Sequence, residues 1–132
     1  MREKKVIPTN MQAARQLAEE LLDEAPFKGY SEPALFAIRL ALEEGLANAI
    51  KHGNKSDPGK SITVCAEVDD DQATITITDE GEGFEPGVIP DPTVDENLEK
   101  PCGRGIMLMR SYMDKVEFNE RGNEVRLIKR RA

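Results

Sequence analysis

Only two cysteines occur in the 132 residues, and Cys65 and Cys102 stand too far apart for a CxxC motif or a zinc cluster. Cys65 reads as a buried strand residue and Cys102 as a loop residue with no base beside it, so neither is expected to act as a nucleophile. No apolar run reaches the length of a signal peptide or a membrane span, and the chain opens on Arg2, Glu3, Lys4 and Lys5. A cytoplasmic protein without membrane contact is the expectation. Positive charge is in the minority, with 18 Lys and Arg against 25 Asp and Glu, a formal net charge of -7. Such a surface repels phosphate backbones, which argues against a nucleic-acid partner. The nearest basic cluster, Lys129, Arg130 and Arg131, reads as a solvated chain end. Internal repeats and low-complexity tracts are also missing, and the length suits one domain spanning residues 1–132.

What is present changes period along the chain. Residues 3–8 read as a short edge strand stopped by Pro8, after which Thr9 or Asn10 supplies a helix cap. Met11, Ala14, Leu17, Ala18, Leu21, Leu22 and Ala25 recur at helical spacing, and Pro26 ends that helix. A second helix is expected from near Ser31 and Pro33 to about His52. Its apolar residues cover much of its circumference, which predicts a central position. Gly53 and Asn54 suit an end that needs a left-handed residue. Ser61–Val68 and Ala73–Thr78 alternate as an antiparallel hairpin, and Val116–Asn119 with Glu124–Lys129 make a second one. Between them, residues 79–103 hold four Gly and four Pro without sustained periodicity, as a functional lid would. A short helix from about Arg104 to Tyr112 follows. The predicted fold class is α+β: a two-layer α/β sandwich with helices on one face of a mixed, mostly antiparallel sheet.

Three features can carry chemistry. Glu44 and Asn48, four residues apart, share one side of the second helix, and His52 extends the row. Polar groups on so apolar a helix are costly to bury unpaired. They are either a solvated edge with a satisfied core amide or a site in which the Asn oxygen ligates Mg²⁺ and the carboxylate orients a hydroxyl for attack on a phosphate. Asp79-Glu80-Gly81-Glu82-Gly83-Phe84 follows a strand directly. It is either an ordinary acidic turn or a carboxylate placed to accept from an exocyclic amine such as that of adenine, with glycines allowing close approach. In Cys102-Gly103-Arg104-Gly105, a Gly-x-Gly opens a helix. It is either a flexible cap or an anion site at a helix start, to which Arg104 adds charge. Lys51 can reach a phosphate or stand solvated at the helix end, and His52 can cap carbonyls or pack beside the pocket.

In this order and context, LALEEGLANAIKHGN resembles the N box of the GHKL (histidine kinase-like) ATPase superfamily, DEGEGF its G1 box and GRGIMLMRSYMDKVEF its G2 region. Within that superfamily the chain is similar, over nearly all its length, to bacterial anti-sigma-factor serine-protein kinases. The resemblance implies the histidine kinase-like ATPase (Bergerat) fold and ATP with Mg²⁺ as cofactors. It makes Glu44 the general base and Asn48 the metal ligand. Asp79 would read adenine, with Gly81, Gly83 and Phe84 shaping the pocket, and Gly103, Arg104 and Gly105 would lie at the hinge between lid and helix. Asn123 stands where the family often has Thr in the turn before its last strand, in place to bond the nucleotide. The implied function is phosphorylation of Ser or Thr on a small antagonist protein together with capture of a sigma factor, in a homodimer. Two other readings remain: an ATP-gated binding module without phosphotransfer, and a detached histidine kinase catalytic domain. Because His52 is the only histidine, the chain carries no obvious phosphoacceptor of its own.

Overall fold

A computed structural model describes residues 2–81, 101–120 and 122–131, with the backbone alone at 25, 26 and 101–105. The polar residue ahead of each of the first two apolar-periodic stretches caps a helix, as expected. The Asn10 side chain accepts the Ala13 N–H at 2.7 Å and starts α1 (Met11–Leu22), while Ser31 accepts from Ala34 at 3.2 Å and starts α2 (Glu32–Asn48). A 3-10 turn (Ala25–Gly29) joins them. Helix α2 buries Ala34, Ala37, Ile38, Ala41, Leu42, Gly45 and Leu46 and packs against both α1 and the later helix α3 (Pro101–Tyr112), so it is central.

The period-2 segments form β1 (Arg2–Pro8), β2 (Ser61–Val68), β3 (Gln72–Thr78), β4 (Lys115–Phe118) and β5 (Glu124–Arg130), in the sheet order β1-β2-β3-β5-β4. The mixed sheet expected from sequence narrows here: all four pairings are antiparallel. The β2–β3 turn is held by Asp69, whose carboxylate accepts the N–H groups of Asp71 and Gln72 at 2.7 and 2.9 Å. Those bonds, Gln72 first, hold its pKa below the ordinary value. Ile62, Val64, Ile75, Ile77 and Leu127 point to the helices and are buried against Leu42, Leu46 and Met109. Each such side chain contributes roughly 1.5–3 kcal/mol of transfer free energy. Strand alternation turns Thr63, Cys65, Thr74 and Thr76 to the opposite face. Cys65 is therefore only partly buried, and not the core residue the sequence suggested. Among the described residues no helix is long and apolar enough to cross a membrane.

Two boundaries differ in ways that matter for the site. Helix α2 passes into a π-helical turn (Ala49–Gly53), closed by the Asn54 N–H on the Ala49 carbonyl at 2.8 Å. The left-handed residues fall after it, at Lys55 and Ser56 with φ of 51° and 58°, and Gly53 is not among them. Helix α3 begins at Pro101, a residue suited to a first helical turn. Cys102, Gly103, Arg104 and Gly105 consequently belong to the helix and not to a hinge ahead of it.

Candidate functional site

The site grows from the approach of α2 to β3. A side chain at Gly45 would stand 2.6 Å from Ile77 Cδ1, so the missing Cβ lets the helix lie close on the strand. Glu44 immediately precedes Gly45 on α2, and Asp79 follows two residues after Ile77. On the far side α3 runs in the opposite sense. Phe36, near the start of α2, meets Tyr112 at the end of α3 with ring centroids 5.9 Å apart, and Met109 lies beside Gly45. The first turn of α3, with Gly103, Arg104 and Gly105, is thereby carried toward the end of α2 that bears Asn48.

Glu44 and Asn48 are both partly buried on α2. Asn48 is the last residue before the π turn, and π turns within helices are frequent at functional sites. Among the described residues neither side chain makes a hydrogen bond or an ion pair. The wider turn breaks the helical row after Asn48. Lys51 and His52 are exposed within it, and neither has a polar partner among the described residues.

The π turn ends on Gly53, where the G1 segment docks. A Cβ at Gly53 would fall 2.2 Å from Asp79 Oδ2, and one at Gly81 would fall 1.9 Å from the Gly53 carbonyl oxygen. Only glycine at both positions lets the helix end, the Asp79 carboxylate and the following turn stack so closely. The Gly81 N–H donates to Asp79 Oδ1 at 2.8 Å and orients the carboxylate. The Asp79 N–H donates to the Asn123 carbonyl at 2.9 Å, and Asn123 Nδ2 returns a bond to the Asp79 carbonyl at 3.1 Å. Asn123 Oδ1 accepts from Asn119 at 2.7 Å. Both ends of the Asn123 amide thus hold the strand end, whereas the family resemblance would point that residue at the nucleotide.

Asn54 was read from sequence only as a helix end, yet it is a fully buried polar residue. Its Oδ1 accepts the Glu80 N–H at 2.8 Å, and its Nδ2 donates to Thr9 Oγ1 at 3.1 Å and the Ser61 carbonyl at 3.0 Å. The Glu80 carboxylate in turn accepts from the Ser61 N–H and hydroxyl. Of the residues named from sequence, Asp79, Gly81 and Asn123 are brought into direct contact, with Glu44 and Asn48 on the helix that ends there. Gly83 and Phe84 lie outside the described residues, and Gly103, Arg104 and Gly105 are placed by backbone alone. Sequence reasoning missed Gly53 and Asn54 as parts of the site; their adjacency in the HGN string was the available signal.

The arrangement can accept a hydrogen bond from a ligand amine at Asp79 and offer at Asn48 an amide oxygen that no described residue engages. Among the described residues no three His, Cys, Asp or Glu converge to hold a metal, so a metal held by Asn48 would have to draw its other oxygens from a bound phosphate or water.

A model of the histidine kinase-like ATPase domain matches residues 6–129. An anti-sigma F factor of Clostridium acetobutylicum is 33% identical over 111 residues, covering 79% of this chain and 76% of that protein. The anti-sigma F factor of Heyndrickxia coagulans is 33% identical over 118 residues, covering 82% and 80%. The serine-protein kinase RsbW of Staphylococcus epidermidis is 35% identical over 100 residues, covering 69% and 62%. A crystal structure of RsbU and RsbW domains from Mycobacterium tuberculosis superposes with a TM-score of 0.62 over 98% of this chain, at 14% identity. This chain spans 32% of that longer one, and the likeness is one of fold.

Proposed function

The chain belongs to the histidine kinase-like ATPase domain family, and from that premise we propose that it is an ATP-dependent serine/threonine protein kinase that also acts as an anti-sigma factor. The observation that carries the reading is the Asp79 carboxylate, seated on Gly53 and oriented by Gly81 at the end of the helix that bears Glu44 and Asn48. Asp79 accepts the adenine amine, its carboxylate seated in the space that Gly53 leaves and oriented by Gly81. Asn48 supplies the amide oxygen for Mg²⁺, which when bound offsets the charge of the phosphates. Gly103, Arg104 and Gly105 face the phosphates from the start of α3, with Lys51 and His52 at the rim.

Glu44 takes the proton of a Ser or Thr hydroxyl on the acceptor protein as its oxygen bonds to the γ-phosphorus. The bond from that phosphorus to the bridging oxygen breaks, and ADP leaves with the electron pair. The second partner is a sigma factor, as the relatives' name anti-sigma F factor suggests, and the acceptor is the small antagonist protein that the family resemblance implies. The setting is the cytoplasm and the working form a homodimer. Incubation with γ-labelled ATP, Mg²⁺ and the small proteins encoded beside it tests the proposal. Label on serine or threonine of one of them is expected. ATP binding without label on any protein would leave only an ATP-gated binding module.

A further inference from the structure

Asn54 is the one fully buried polar side chain among the largest buried residues described. Burying an amide is tolerable only when its donors and acceptor are matched. Here they are, with groups on three separate segments: Thr9 ahead of α1, Ser61 at the start of β2 and Glu80 in the turn after β3. Its own N–H closes the π turn on Ala49. Thr9 is anchored in its turn, its hydroxyl donating to the Lys60 carbonyl at 2.6 Å. The acceptor end of Asn54 therefore pins the Glu80 N–H from a rigid base. Glu80 is the peptide between Asp79 and Gly81, whose N–H sets the Asp79 carboxylate.

We propose that Asn54 is a positioning residue that presets the Asp79 carboxylate and thereby makes the site selective for adenine over guanine nucleotides. The inference rests on the reading of Asp79 as the base contact. Adenine presents an amine at C6, which a carboxylate can accept; guanine presents a carbonyl there, and two acceptors repel. Discrimination then depends on the carboxylate being fixed before the base arrives, because a carboxylate free to swing aside lets either purine in. A site built around a hydrogen-bonded group rejects the analogue lacking it far more strongly than an apolar pocket does. Asn54 touches no base in this scheme; it acts through the Glu80 peptide.

The test compares Asn54→Ala with Thr9→Val, which removes the anchoring hydroxyl but leaves the Asn54–Glu80 bond. Dissociation constants for Mg-ADP and Mg-GDP, with the melting temperature, are measured on the full chain. Both variants are expected to melt earlier. Asn54→Ala is expected to lose at least tenfold of the ADP-over-GDP preference, through weaker ADP binding, whereas Thr9→Val keeps the ratio within twofold. An unchanged ratio in Asn54→Ala, or an equal fall in both variants, assigns Asn54 a merely structural role and overturns the proposal. Should Asn54→Ala not fold, amide exchange at Glu80 in the unsubstituted protein decides. Slow exchange before nucleotide is added agrees with a preset turn, and exchange that slows only on adding ADP overturns it. A natural chain that binds neither nucleotide refutes the ATP reading, and this inference with it. One that binds ADP and GDP equally refutes this inference alone.

Discussion

Replacing Gly53 by alanine puts a methyl group 2.2 Å from Asp79 Oδ2 and 2.3 Å from its Cγ. The carboxylate has to move, and it is tied to the Gly81 N–H at 2.8 Å. A hydrogen bond to a charged group contributes roughly 1.5–3 kcal/mol, so losing that geometry predicts nucleotide binding weaker by about 10- to 100-fold. Stability should respond differently. Gly53 lies in a helical turn and is not among the residues with positive φ. Alanine there therefore gains up to about 1 kcal/mol from chain entropy and helix propensity, which offsets part of the clash. The expected outcome is a protein that melts within a few degrees of the original and binds Mg-ADP at least tenfold more weakly. Titration calorimetry beside thermal denaturation gives both numbers. Unchanged affinity in a folded Gly53→Ala protein would refute the assignment of Asp79 as the base contact.

Glu44→Gln keeps the shape of the site and is expected to cut phosphotransfer by about 10²- to 10⁴-fold while ADP affinity, read by the same calorimetry, changes little. Gly45→Ala forces a Cβ to within 2.6 Å of Ile77 Cδ1; the strain should cost about 1–3 kcal/mol, seen as a lower urea midpoint. Near the edge of the sheet, Glu24 shares a hydrogen bond with Glu3, is partly desolvated and faces the Glu3 charge, and these raise its pKa against the pull of Lys5. A carboxyl raised in the folded state stabilises fully below its unfolded pKa and loses that contribution as pH rises through the folded value. Urea midpoints should accordingly fall as pH rises out of the carboxylate range, and Glu24→Gln should flatten that part of the profile.

Local signals were legible where chemistry and pattern act over a few residues. Asn10 and Ser31 cap their helices, and alternation in Ser61–Val68 reproduces β2 to the residue. Polar residues on the apolar α2 drew attention to Glu44 and Asn48, and both lie partly buried on that helix. What stayed hidden depends on distant partners. Leu46, Ala47 and Ile50 fit an ordinary helix as well as a π turn, so the rotation that exposes His52 could not be seen. Asn54 is a surface turn residue by composition and becomes a buried clamp only because Thr9, 45 positions away, folds against it. Gly53 is read as a backbone device, yet its role is to leave space for a carboxylate from another strand. Cys65 shows the same limit: the alternation was visible, but the face that meets the helices was chosen by Ile62 and Val64.

The strand order has a consequence for the birth of the molecule. β5, later in the chain than every other element described, is flanked by β3 and β4. A growing chain therefore presents the first three strands as an antiparallel sheet whose β3 edge waits bare, with Thr74, Thr76 and Thr78 in place, until residues 124–130 leave the ribosome. Bare edges of this kind recruit foreign strands. Stalled or truncated products should thus be far stickier than the finished protein, and its seal against aggregation is the last segment of the sheet to be made.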